Sequence, residues 1–517
     1  MDESDINAAI QYINEKTCNP PLDPEEVRRI AASIASYPAG GESEDCVIDD
    51  DGCVSLGSQD PETGRLVLSP KRTVPTAAAY VRQFHHQANC TTLVSYGGQL
   101  LHWQQGSFRP MEDAFVQKNL QRWLHASLRY IFSKQTGSTK LVDFESNPGT
   151  VKAALESVRT FVHLPASESV PFWRTDGSDL PPPHEILACK SLLLHLPSLR
   201  KMPATPQFFT FNALDFDFDP VADQPEVWLA FLAQIFGDDQ ESISLLQEWF
   251  GLCLVSDTSH QKMLLIVGPK RSGKGTLARI LSRLVGIANV CGPTTSSLAG
   301  TFGLQPLLFK TLAVVSDARF HGDQIATVVE RLLCISGEDT VTVDRKFMES
   351  ITLKLQTRFM FLSNELPRLT DASGALASRF LMLRLTESFY GREDLTLANR
   401  LFAELPGILN WAISGWQRLR ERGHFVQPAS VAESVQDMED LSSPVKAFVR
   451  DCCRVQQGLR IDIPEIFDLW LGWCKRVGRD HPGTSQIFGR DLQAAFANVK
   501  ARKGTNNVRF YEGISRK

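Results

Sequence analysis

The spacing of apolar residues changes along the chain, and each change marks a segment. Residues 5–36 read as two short helices, with Pro20 and Pro21 breaking the first and Asp23 with Pro24 opening the second. Residues 76–250 read as a mixed α/β region. Alternating runs on either side of Gly97 and Gly98 predict a strand pair, and helical spacing covers Val116–Phe132. It returns over Thr150–Phe161, after the turn residues Asn147, Pro148 and Gly149. Phe208–Asp219 alternates aromatic and acidic residues. Its aspartates raise the question of a metal site, but a calcium loop needs a glycine and a distal glutamate at set positions, and neither is present. A solvated strand edge is the plainer reading. From 251 to 390, apolar runs such as Met263–Val267 and Ala313–Val315 alternate with helical spacing, which predicts an α/β core. Residues 391–427 look helical around Trp411 and Trp416. The tail has helical spacing over Val445–Cys453 and Ile463–Arg476, then a helix, a turn and a terminal hairpin, the outline of a winged helix.

These patterns set expected limits: 1–38 helical, 39–75 an acidic flexible linker, 76–250 an α+β N-terminal region, 251–427 the α/β core, 428–444 a second linker and 445–517 the winged-helix-like tail. The first linker rests on charge. Glu42, Glu44, Asp45, Asp49, Asp50, Asp51, Asp60 and Glu62 fall in a stretch without Lys or Arg, which predicts a solvated tether.

Composition narrows the class. With 43% hydrophobic and 22% charged residues, the 517-residue chain is ordinary globular protein, and its length suits about three domains. The apolar runs fall short of the roughly 20 residues that cross a bilayer. The acidic start, MDESDINAAI, is unlike a signal peptide, so a cytoplasmic protein without membrane contact is expected. None of the 11 cysteines forms a C-x-x-C pair, which argues against a zinc ribbon. A net charge of -5 excludes a histone-like basic coat but leaves room for a local basic groove.

Candidate chemistry centres on MLLIVGPKRSGKGTLARILSRLVG. A buried strand leads into Gly268, Pro269, Lys270, Arg271, Ser272, Gly273, Lys274, Gly275 and Thr276, and then into a helix with Leu277, Ile280, Leu281 and Leu284 on one face. Glycines let backbone N–H groups turn inward around phosphate oxygens, the helix N-terminus adds positive potential, and Lys274 reaches the outer phosphates. This setting predicts nucleotide binding, with Mg2+ beside the phosphates. The hydroxyl that usually follows the lysine sits one place later, on Thr276, and the same G-K-G-T ending occurs in small-molecule nucleotide kinases. Asp317, ending the strand TLAVVSDAR, suits a Mg2+ ligand alongside Thr276. Its neighbour is Ala318 rather than a second acid, so the catalytic base stays unassigned. Asn364 ends a third strand, where it either senses the terminal phosphate or caps a turn. Arg379 precedes a fourth strand, as an arginine finger for a neighbouring subunit or as a surface arginine. Between the second and third strands, two alternating runs flank Arg345, Lys346 and Phe347. Cations and an aromatic at a hairpin tip suit single-stranded DNA, and equally a solvated turn. Arg490, Lys500, Arg502 and Lys503 give the tail a basic surface for DNA.

In their order, EWFGLCLVSDTSHQKMLLIVGPKRSGKGT, LAVVSDARF, ISGEDTVTVDRKF, FLSNELPRLTDASGALASRF and ELPGILNWAISG resemble the superfamily 3 helicase core of phage and plasmid primase-helicases. Upstream, PQFFTFNALDFDFDP and PEVWLAFLAQIF resemble the domain that precedes it, and PPLDPEEVRRIAASIA is similar to the helical segment closing the primase part. The resemblance implies an α/β P-loop NTPase (AAA+) core with an α+β N-terminal region and a winged-helix-like C-terminal domain. It implies that the nucleotide is ATP and that the chain is a replicative motor, usually a hexameric ring, moving 3′ to 5′ on single-stranded DNA and unwinding duplex. Lys274, Asp317, Asn364 and Arg379 would be catalytic, and Arg345 and Lys346 would sit on a pore hairpin. The chain begins inside what resembles the primase tail, so a separate primase is an expected partner. Two other readings stay open: an ATP-switched DNA-binding initiator or defence protein with weak hydrolysis, and a small-molecule P-loop kinase.

Overall fold

The computed structural model describes residues 54–517 except 88, 134–137, 167–168, 176, 178, 319–324, 368–374 and 505–507, and before them residues 11, 23–25 and 27–29. Of the two helices expected over 5–36, the described part is chiefly the start of the second, where the Glu25 amide donates to Asp23 Oδ1 at 2.8 Å. The rest of that pair, and the acidic stretch up to residue 53, lie outside the described residues.

Two compact units make up the chain: Met1–Ala79 with Asn119–Ala154, and Tyr80–Lys118 with Leu155–Lys517. In the first, Leu128–Ser133 pairs antiparallel with Ser138–Asp143, and Val54, Val67 and Leu128 form a small core. The helical spacing expected over Val116–Phe132 resolves into a helix, Asp113–His125, and the strand from Leu128, which that core and the hairpin pairing hold extended.

In the second unit, Leu93–Tyr96 and Gln99–Gln104 pair around Gly97 and Gly98, both with positive φ as a two-residue hairpin turn requires. Phe208–Asp219 differs from the expected strand edge. Its first two residues pair with Phe172–Trp173, and then Phe211, Leu214 and Phe218 enter apolar cores. Asp217 accepts from the Ser191 amide and hydroxyl at 2.8 and 2.6 Å.

A five-stranded parallel sheet organises the rest: β1 (Met263–Val267), β2 (Val290–Cys291), β3 (Leu312–Val315), β4 (Arg358–Ser363) and β5 (Phe380–Arg384), in the order β2-β3-β4-β1-β5. Both faces are covered, which is why β1 reads as an unbroken apolar run. Alternate side chains go opposite ways. Leu264 and Ile266 pack with helices α1 (Glu226–Phe236), α2 (Gln240–Leu252), α3 (Lys274–Leu284) and α4 (Leu405–Arg422). Met263, Leu265 and Val267 pack with helix Ile325–Ser336. Glu248 on α2, almost fully buried, is paired by Arg418 at 2.8 Å and by Arg422, both on α4. The expected linker 428–444 is instead largely helix Ala432–Ser442. Its Ser434, Met438 and Ser442 are buried, and Arg384 donates to Ser434 Oγ at 2.7 Å.

Thr340–Arg345 and Met348–Lys354 form an antiparallel hairpin with Lys346 and Phe347 at its tip. The tail runs helix Pro444–Cys452, strand Cys453–Asp462, helices Ile463–Arg476 and Ser485–Ala495, then strands Lys500–Lys503 and Arg509–Arg516. The last strand lies between the other two, and Phe448, Trp470, Trp473 and Phe488 fill the core. Among the described residues no helix is long and apolar enough to cross a membrane.

Candidate nucleotide-binding site

β1 lies where the chain reverses across the sheet: β2, β3 and β4 are on one flank and β5 on the other. Crevices at the carboxyl ends of strands beside such a point are where open α/β sheets hold ligands. Here the crevice is occupied by the loop Gly268–Gly273. Gly268 has no room for a side chain, because a Cβ would lie 2.7 Å from the Leu385 carbonyl oxygen. Gly273, with φ +96°, turns the loop into α3, and its carbonyl accepts from the Thr276 and Leu277 amides at 2.9 and 3.0 Å.

Lys274 reaches back across this loop. Its Nζ donates to the Gly268 and Pro269 carbonyls at 2.6 and 2.7 Å, to Ser272 Oγ at 3.3 Å and to Asn364 Oδ1 at 3.2 Å. Every one of those acceptors is neutral, and burial lowers the lysine pKa from its usual value, with Asp317 opposing that shift. A cation beside a helix N-terminus is suited to anionic oxygens.

β4 lies between β1 and β3, with Val267 beside Ser363 and Val315 beside Phe361. That order brings Asn364 and Asp317 to the same edge as the loop. Asp317 is exposed with φ +50°, and Ala318 turns inward, its side chain buried and its amide donating to the Leu362 carbonyl at 3.0 Å. An acid at 318 would be buried among apolar groups, which explains why one carboxylate stands alone there. From the turn after β4 the sequence reading takes Asn364 alone; the next residue, Glu365, is a second exposed carboxyl at this edge. Thr276 accepts from Arg279 Nη2 at 3.2 Å, while Gly275 has open space around it.

Arg379 does not join this group. It precedes β5 at the opposite edge, its carbonyl accepting from the Met263 amide at 2.8 Å, so β1's length, about 16 Å, separates it from the loop. Its guanidinium donates to Ser336 Oγ at 3.0 Å. Arg345 is not free to meet DNA. It is 9% exposed, and its guanidinium donates to the Glu349 and Gly97 carbonyls at 2.8 and 2.7 Å. At the hairpin's tip Lys346 and Phe347 are exposed, with the ammonium 5.1 Å from the ring centroid and the phenyl ring 94% exposed. In the tail, Arg490 pairs with Asp491 at 3.1 Å and Arg502 with Glu512 at 3.0 Å, while Lys500 and Lys503 are exposed on an edge strand.

One contact had no signal in the sequence: the chain leaving β5 docks onto the loop. Ser388 Oγ donates to the Lys270 carbonyl at 2.8 Å, the Phe389 amide to that of Arg271 at 2.9 Å, and Arg271 lies 3.4 Å from Glu393.

Residues 1–39 match the family model described as Primase C terminal 1 (PriCT-1). Residues 266–379, which hold the loop, Asp317, Asn364 and Arg379, match a model described as a family of unknown function (DUF5906). Among solved structures, similarity is found to apo forms of the NrS-1 C-terminal region. One, of residues 305–718, is 12% identical over 86% of this chain and 99% of that one, with a TM-score of 0.47. Another is 14% identical over 58% of this chain and 77% of that one, at 0.40.

Proposed function

We propose that this chain is an ATP-driven DNA motor of the superfamily 3 helicase type, acting in replication of a phage, prophage or plasmid-type element. The observation that carries the reading is Lys274, held in a loop at the sheet's switch point beside Asn364 and Asp317. In this reading the loop amides and Lys274 hold the outer phosphates of ATP, and Asn364 orients the attacking water. Asp317, with Thr276 once released from Arg279, would hold Mg2+, which would supply neutralisation of charge on the phosphate oxygens. Arg379, remote from its own loop, serves the loop of a neighbouring copy in a ring. Lys346 and Phe347 meet single-stranded DNA, by ion pairing and by stacking on a base. The helix–strand–helix–helix–hairpin tail is a winged helix that presents Lys500 and Lys503 to duplex phosphates.

A second reading, an initiator in which ATP is a slow switch, is favoured by the buried Ala318 beside a single carboxylate. Phosphate release with and without single-stranded DNA, beside Lys274→Ala, separates the two. A motor is stimulated by DNA and loses about a hundredfold or more of its turnover in the variant. Slow hydrolysis indifferent to DNA means a switch.

A further inference from the structure

We propose that the turn Ser388–Arg392 is the base-binding platform of this site and that Tyr390 stacks on the nucleobase; the inference rests on the nucleotide reading above. Lys274, Asn364 and Asp317 gather on the β4–β3 flank of the loop, so they mark the end at which the terminal phosphate sits. A nucleotide lying along the loop must then run its sugar and base toward the other flank, where β5 ends. There the chain is tied to the end of β1 by Leu385 to Val267 at 2.8 Å, and to the loop itself by Ser388 to Lys270 at 2.8 Å and Phe389 to Arg271 at 2.9 Å.

The turn is braced internally. The Arg392 amide donates to the Phe389 carbonyl at 2.8 Å, its guanidinium donates to the Ser388 carbonyl at 3.1 Å and lies 5.9 Å from the Phe389 ring centroid, and Gly391 takes φ +76°. Phe389 packs partly into the core as the foot of the turn, whereas Tyr390 is 77% exposed. Two adjacent aromatics thus divide the work, one anchoring the turn and the other left in water beside the phosphate loop. The braced backbone fixes where this ring is carried, which lowers the entropic cost of accepting a base. Stacking does not read base edges, so adenine and guanine nucleotides should bind alike through this contact.

The test measures dissociation constants of ATP, GTP and inorganic tripolyphosphate, each with Mg2+, for the full chain, Tyr390→Ala, Tyr390→Phe and Lys274→Ala. The expected result is that Tyr390→Ala weakens ATP and GTP by about five- to a hundredfold, the range that stacking on one base carries. Tripolyphosphate affinity stays unchanged, and Tyr390→Phe, which keeps the ring, keeps nucleotide affinity. Equal loss of tripolyphosphate would mean the turn merely braces the loop and would overturn the proposal. Unchanged ATP binding in Tyr390→Ala, beside lost binding in Lys274→Ala, overturns the platform and leaves the phosphate site standing. A full chain that binds neither nucleotide nor tripolyphosphate removes both readings.

Discussion

The phosphate loop and the hairpin tip each put a lysine forward, but under opposite conditions. Lys274 has four hydrogen-bond acceptors, three in its own loop and one just after β4, in a loop packed too tightly at Gly268 for a side chain. Lys346 lies over Phe347, a ring almost wholly in water. The first group is preorganised by the fold, and the second is free to follow a ligand. Substitutions in the loop should therefore act on structure and chemistry together, whereas substitutions at the tip should separate them.

The largest effect is expected at Gly268. In Gly268→Ala the new methyl must displace the backbone at Leu385, so stability to urea should fall by about 1–3 kcal/mol and nucleotide binding should be lost with it. Unchanged stability would mean that the loop is as yielding as the tip, and the contrast would fail.

A smaller, pH-dependent effect sharpens it. Burial lowers the Lys274 pKa and Asp317 opposes the shift. The folded lysine therefore loses its proton at a lower pH than the unfolded one. Between the two values the unfolded chain holds more protons, so this group's contribution to stability rises with pH there. ATP affinity, which needs the ammonium, falls over the same range. Asp317→Asn should move that fall to lower pH, as read from ATP binding in Mg2+-free buffer across the alkaline range. A limb that stays put would show that Asp317 does not act on Lys274.

The smallest effect on the fold belongs to the tip. Phe347→Ala should leave stability within about 0.5 kcal/mol and ATP affinity intact, yet lower single-stranded-DNA-stimulated turnover several-fold. Parallel loss of ATP affinity would sink the DNA role and make the tip part of the nucleotide site.

How far these sites could be read in advance depends on range. The loop from Gly268 to Thr276 was legible because its geometry is local: a strand, glycines and a helix within a short stretch. Asp317 and Asn364 were legible as strand ends. Arg345 was misread because the Gly97 carbonyl that takes its guanidinium is 248 residues away. The polar stretch over 428–444 was misread for a similar reason, since Ser434 is polar in sequence but buried against Arg384.

By itself the sequence determined the unbroken apolar run of β1, the glycine loop after it and the lysine that opens α3, because those features follow from backbone conformation and residue spacing. The tertiary structure alone decided that β4 would insert between β1 and β3, bringing Asn364 and Asp317 to Lys274. It also decided that the chain after β5 would close over the loop from the other flank. Strand order and loop docking are set by which apolar faces bury one another across long separations, and a one-dimensional pattern does not carry that choice.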